Sequence, residues 1–283
     1  MSKVDLHIHS TASDGRLSPA DIVHKAAELG LGVIAITDHD TVDGIAPALA
    51  AAQSFPRLKV MPGVEISTDV PNGEAHVLGY FIDYTDHELQ VTLEGMRNSR
   101  QQRAQKMITK LEDFGIHIEW QRVQDIAGSG SIGRPHLAQV MLEKGYIASL
   151  KEAFIKYIGR GAPAYVGREK MTPVEAVELV LRADGLPVLA HPFTTANPEM
   201  VVIELKAAGL VGLEAYYNGS PADEIDKLVS LANKYNLIAT GGSDYHGLDN
   251  STETMIGGAN VPMESAEQLV TLAEELGLKL ARQ

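Results

Sequence analysis

Apolar positions in the first eighty residues fall in short runs separated by amphipathic stretches. Val4, Leu6 and Ile8 alternate with Asp5, His7 and His9, the period of a strand whose two faces differ. Further strands are expected at about 32–37, 58–65 and 75–81. Ser18-Pro19 reads as an N-cap with proline in the first turn, opening a helix to Leu29, and a second helix covers about 43–54. This alternation implies βα units on a mostly parallel sheet. The pattern changes near residue 86, where a long helix rich in Arg, Gln and Lys runs to about 115. Shorter helices follow at about 122–127, 135–144 and 150–158, with few strand signals. Alternation resumes at Thr172-Pro173, with strands at about 187–190, 211–215 and 237–240 and a last helix at about 265–276. The expected architecture is an α/β barrel built from residues 1–98 and 170–283, with a helical insertion at 99–169 covering its mouth.

Polar residues that carry chemistry cluster at the strand ends. They are His7 and His9, Thr37-Asp38-His39-Asp40, Gly63-Val64-Glu65, His191-Pro192 and Gly242-Ser243-Asp244-Tyr245-His246. His76 is the exception, because it sits early in its own strand. In a parallel barrel the C-terminal strand ends converge on one mouth, where active sites are built. A buried histidine by itself is most simply a hydrogen-bonded interior residue. His-x-His at the end of a first strand, followed by Asp14, favours a metal site. Six of the ten histidines belong to this set, and with Asp14, Glu65 and Asp244 they make nine candidate ligands. One tetrahedral ion takes about four, so nine imply two or three ions sharing carboxylates. Without cations, carboxylates so crowded would raise one another's pKa. Asp5, Asp38 and Asp40 are placed to orient imidazoles from behind, or else serve as ordinary cap and turn aspartates.

Composition narrows the chemistry. The chain has no cysteine, which excludes disulfides, thiolate nucleophiles and sulfur-ligated zinc, so any metal must be held by nitrogen and oxygen. The formal net charge of −13 over 283 residues disfavours a long nucleic-acid duplex or an anionic membrane as partner. Three divalent ions would cancel about six of those charges. The N-terminus has no basic-then-apolar leader and no run is long enough to span a membrane, so a cytoplasmic protein is expected.

Taken together, His7-x-His9, Asp14, Thr37-Asp38-His39, Glu65, His76, His191-Pro192 and Ser243-Asp244-x-His246 resemble the polymerase and histidinol phosphatase (PHP) superfamily, in the family's order across residues 4 to 246. The resemblance implies a distorted seven-stranded βα barrel with a di- or trinuclear centre of zinc, manganese or iron that hydrolyses phosphoesters. It implies one ion on His7, His9, Glu65 and Asp244, a second on Glu65, His76 and His191, and a third on Asp14, His39 and His246. Glu65, His191 and Asp244 are the expected catalytic residues, with Glu65 bridging two ions. The placement of the insertion resembles that of stand-alone nucleotide phosphoesterases. By that resemblance, Arg103, Arg134, His136 and Arg160 would bind substrate phosphate, with Lys106 a weaker candidate, and Tyr165 or Tyr217 would stack on a base. The expected substrate is a small phosphorylated nucleotide, such as a nucleoside 3′,5′-bisphosphate, or the 5′ end of a short RNA. The competing readings are a histidinol-phosphate-type phosphomonoesterase, an amidohydrolase cleaving a C–N bond, and a metal-stabilised binding module without turnover.

Overall fold

The computed structural model describes residues 3–70, 73–128, 130–167, 171–195, 197–217, 219–247 and 255–278. The boundary expected at 169/170 lies outside them. Seven strands follow one another in spatial order as in sequence. They are β1 Lys3–Asp5, β2 Leu31–Ile36, β3 Lys59–Val70, β4 Gly73–Tyr80, β5 Leu186–Leu189, β6 Gly212–Tyr217 and β7 Ile238–Gly242. β1 to β3 pair in parallel, as do β5 to β7. The mostly parallel sheet thus holds, with one strand reversed. β4 runs antiparallel to both its neighbours, with Ser67 opposite His76 on one side and Leu78 opposite Val188 on the other.

The reversal has a local cause. Only two residues separate β3 from β4, far too few for a parallel crossover, so the chain must return as a hairpin. It also accounts for the position of His76. In a reversed strand the early residues lie at the end where the other strands finish.

The sheet closes on itself through the segment after β1. Leu6 N–H donates to Gly241 O (3.1 Å) and Asp244 N–H donates to His7 O (2.9 Å). Ile8 and Tyr245 form a parallel bridge. The result is a nearly closed, barrel-like mixed sheet. The strand expected to reach His9 is regular only to Asp5, since His7 and His9 lie where β1 gives up ladder pairing to reach across this seam. Alternation persists there, and Leu6 and Ile8 are fully buried on the outer side.

Helices cover the sheet. α1 Pro19–Glu28 starts at Ser18, whose side chain accepts from Asp21 N–H. α2 is Ile45–Ala52, and α3, His87–Glu112, is capped by Asp86. α4 Trp120–Ala127, α5 Arg134–Glu143 and α6 Leu150–Ala153, which runs on as a π-turn to Ile158, complete the insertion. α7 is Pro173–Arg182 and α10 is Met263–Glu275. Two helices not set out from the sequence pattern, α8 Pro198–Ala208 and α9 Ala222–Lys234, fill the connections around β6. The insertion helices pack around a core of their own, in which Met107, Leu111, Val123, Leu137, Met141 and Ile158 are buried. A larger core lies between β3–β6 and the helices outside them, including Val64, Val77, Leu89, Val177, Leu189 and Leu213. Among the described residues no helix is long and apolar enough to cross a membrane.

Candidate metal centre

Backbone shape aims the polar groups inward. Asp40, His191 and Asp244 follow β2, β5 and β7, and all three take positive φ (52°, 27° and 52°). Such conformations cost non-glycine residues about 1–3 kcal/mol each and persist only where the surroundings hold them. Here their amides are tied down, Asp40 N–H by Glu65 O, Asp244 N–H by His7 O and His191 N–H by the Glu214 carboxylate. Gly242 permits a close approach, since a Cβ there would lie 2.4 Å from the His7 backbone nitrogen.

Four donor atoms then meet at one point. His7 Nε2 and His9 Nε2 are 3.1 Å apart. Glu65 Oε2 lies 3.3 and 3.2 Å from them, and Asp244 Oδ1 lies 3.3 and 3.1 Å from them. A tetrahedron of ligands about 2.0–2.1 Å from a cation has edges of roughly 3.3–3.4 Å, which these separations approach. Hydrogen bonding does not account for the cluster. Glu65 Oε2, His39 Nδ1 and Asp14 Oδ1 are buried with no hydrogen-bond partner among the described residues. The 2.9 Å approach of His39 Nδ1 to Glu65 Oε2 is a close charge contact without hydrogen-bond geometry. Buried donors and acceptors left so are costly unless something binds between them. The residues therefore fit metal ions.

Two further groups adjoin the first. His39, Glu65 and His76 form one, and His9, Asp14, His39 and His246 form the other. The first group is the expected His7, His9, Glu65 and Asp244. In the second, His39 stands beside Glu65 and His76. His191, the partner expected there, shares Glu65 Oε1 with His76, its Nε2 lying 2.9 Å and His76 Nδ1 2.7 Å from that oxygen.

The electrostatics follow from this crowding. Burial raises the Glu65 carboxyl, but the imidazoles of His39, His76 and His7 outweigh it and hold it well below the usual carboxylate range. Asp14 and Asp244 are held low in the same way, Asp14 chiefly by His39 and His246 and Asp244 chiefly by His7 and His246. Burial works against the charge on His246, yet Asp14 pushes it up to about 10. At His76 burial wins, and its pKa falls to about 4. A neutral His76 presents a lone pair to a cation without first losing a proton.

The three aspartates expected behind the imidazoles bond elsewhere. Asp38 accepts from Ser10 N–H, Ser10 Oγ and Ser13 Oγ (2.7, 2.7 and 2.6 Å), steadying the loop that carries Asp14. Asp5 accepts from Ser243 N–H and Gly257 N–H, fixing the loop that carries Asp244. Asp40 accepts from Ser67 N–H and from Arg100 Nε. The residue that does sit behind an imidazole is Glu214, whose Oε1 is 3.0 Å from His7 Nδ1. Sequence reasoning passed over it, although a lone acid in the apolar run of β6 was a signal. Tyr217 donates to Asp244 Oδ2 (2.7 Å), and Asn218 beside it lies outside the described residues.

A cavity of about 170 Å³ opens beside the centre, lined by Asp14, His39, His76 and His246 together with Arg100, Arg103 and Arg134. Arg103 and Arg134 both lie over the Tyr165 ring (5.2 and 5.9 Å). Arg100, one helical turn before Arg103 and not among the expected phosphate-binding residues, lines the cavity as well. Lys106 and Arg160 are exposed and do not line it. His136 Nδ1 accepts from Gly133 N–H at the start of α5.

Comparison with known proteins agrees with this geometry. The PHP domain family matches residues 5–121. The chain is 36% identical over 255 residues to the 5′-3′ exoribonuclease Rnm of Escherichia coli, covering 86% of this chain and 84% of that one. This chain belongs to the PHP family. Another PHP relative, a 3′,5′-nucleoside bisphosphate phosphatase of Chromobacterium violaceum, is 31% identical over 87% of this chain and 88% of its own. Among solved structures, a candidate metal-dependent phosphoesterase of Bifidobacterium adolescentis superposes with a TM-score of 0.87 at 26% identity, over 95% of this chain and 96% of that one. An amidohydrolase of Chromobacterium violaceum with bound sulfate gives 0.84 at 29%, with the same coverage. With its donor groups in place, this PHP protein is a metal-dependent hydrolase.

Proposed function

We propose that the protein hydrolyses a phosphate ester of a small nucleotide, either a nucleoside 3′,5′-bisphosphate or the 5′ end of a short RNA. The observation that carries this reading is one cavity lined by both metal-ligating side chains and three arginines. Its volume is that of about six water molecules, the scale of a phosphate group with part of its ester. A long duplex does not fit. Guanidinium forks match phosphate oxygens, and the Arg103 and Arg134 guanidiniums both lie against the Tyr165 ring. The Escherichia coli and Chromobacterium violaceum relatives, named for RNA 5′ ends and for bisphosphates, support the same substrate class.

Ions held by the three donor groups would neutralise phosphate charge and activate a water, and imidazole with carboxylate donors suits zinc, manganese or iron. Glu65, shared between two groups, would keep two ions together, so the donor set has places for three. In the hydrolysis, water oxygen bonds to phosphorus, one P–O ester bond breaks, and the ester oxygen leaves as an alcohol carrying a proton from that water. His191 adjoins Glu65 and Asp244 adjoins His7 and His9, and the Tyr217 hydroxyl holds the outer oxygen of Asp244.

The test is a substrate panel with each metal, containing a nucleoside 3′,5′-bisphosphate, short 5′-phosphorylated oligoribonucleotides, histidinol phosphate and amide substrates. Chelator-sensitive release of phosphate from the bisphosphate, or of mononucleotides from the RNA 5′ end, is the expected result. Turnover confined to histidinol phosphate or to a C–N bond would overturn the proposal.

A further inference from the structure

Glu214 is the only acidic residue of β6, it is fully buried, and among the described residues it belongs to none of the donor groups. A buried carboxylate without a purpose is expensive. Here both oxygens are used, in different directions. Oε1 lies 3.0 Å from His7 Nδ1, and Oε2 accepts the His191 backbone N–H at 2.7 Å. We propose that Glu214 is a positioning residue that fixes the tautomer of His7 and the turn carrying His191, so that one carboxylate presets a side chain on each side of Glu65.

Three features carry the argument. First, His7 Nε2 stands among the four converging donors, so it must present a lone pair there. The ring's remaining proton then belongs on Nδ1 and needs an acceptor, which Glu214 Oε1 is. Second, His191 sits at φ 27° and ψ 60°, and such a conformation persists only if its amide is held. Third, the sequence of β6 is arranged for this purpose. Leu213 and Ala215 face the outer core, Glu214 faces the barrel interior, and the register with β7 shifts between Glu214 and Tyr216. A bulge at that point re-aims side chains near a site.

The chemistry requires an acid. Glutamine offers one acceptor and one donor, so in either orientation its amide N–H₂ faces an N–H, at His7 or at His191. Glu214→Gln is therefore nearly isosteric but loses one of the two contacts. The inference rests on the metal-holding reading of the centre and not on which ester is cleaved, so it stands whatever the substrate panel returns.

The experiment measures metal affinity by chelator competition in the full-length protein and in Glu214→Gln, together with the histidine ring ¹⁵N and N–H signals of each in the metal-loaded form. The expected result is a fall in affinity of about 10- to 100-fold for one ion, with loss of the His7 Nδ1–H signal. Unchanged affinity would overturn the proposal, as would a fall in affinity with the Nδ1–H signal intact. The unsubstituted protein provides a second decision if the variant does not fold. His7 protonated on Nδ1 in its metal-loaded form supports the proposal, and a proton on Nε2 overturns it. Metal retained by that protein in the same titration tests the centre itself, apart from the role of Glu214.

Discussion

Glu65 concentrates the logic of the centre in one side chain. Its Oε1 is 2.7 Å from His76 Nδ1 and 2.9 Å from His191 Nε2, while Oε2 faces His7, His9 and His39. No single carboxylate can accept from five imidazoles in good geometry, so the arrangement is one of ligands around charge. Protons stand in for that charge when metal is withheld, and this gives a pH dependence with a definite sign. His246 has its folded-state pKa pushed up to about 10 from an ordinary value near 6.5. Its pairing with Asp14 therefore stabilises the metal-free protein fully below about pH 6.5 and is lost as pH rises through 10. A cation must displace this proton. Between pH 7 and 9, loading the metal-free protein should release at least one proton per centre, and apparent affinity at the Asp14 group should rise about tenfold per pH unit. Dye-monitored titration in weak buffer checks both, and proton-neutral uptake across that range would contradict the assignment.

At the level of elements, α3 joins the two parts of the molecule. Its first half packs on the barrel through Leu89 and Leu93, and its second half enters the insertion core through Met107 and Leu111. Arg100 lies between them and ties α3 to the loop after β2 through Asp40, with Arg100 Nε 2.6 Å from a fully buried carboxylate oxygen. Removing one partner of a buried pair leaves the other uncompensated, so Arg100→Ala should cost about 3–5 kcal/mol, read by urea unfolding. A loss under about 1 kcal/mol would mean that the contact is incidental. The elements also mark how far the sequence could be read. Strand positions and the convergence of polar groups at their ends were legible because burial imposes a period of two, and histidines at such ends break it conspicuously. Strand direction was not, since alternation is the same in both senses, and only the two-residue gap after Val70 signals the reversal of β4. Nor was the approach of His39 to Glu65 Oε2, which depends on how the loop leaves β2. The bonds that Asp38 accepts were not legible either, because the Ser10 and Ser13 hydroxyls that claim it are its neighbours only after folding.

For the whole molecule, the centre is a stability element as well as a reactive one. Ions that bind the folded chain and not the unfolded one stabilise it by mass action, about 2.7 kcal/mol at one hundred times the dissociation constant. Stripping the metal with chelator should lower the melting temperature by roughly 5–10 °C, and calorimetry with and without added ion checks this. A metal-loaded protein whose melting point ignored chelator would exclude the centre as described. The seam between β1 and β7 has a further consequence, for the order of events during synthesis. Asp244 reaches the first donor group only when its amide pairs with His7, two residues separated by most of the chain. The chelating set thus has very high contact order, and a nascent chain that has emerged only through β6 has His7, His9 and Glu65 without Asp244 and His246. Tight metal uptake at this first group must follow closure of the barrel, so an ion captured there serves as a timestamp that the last strand has docked on the first.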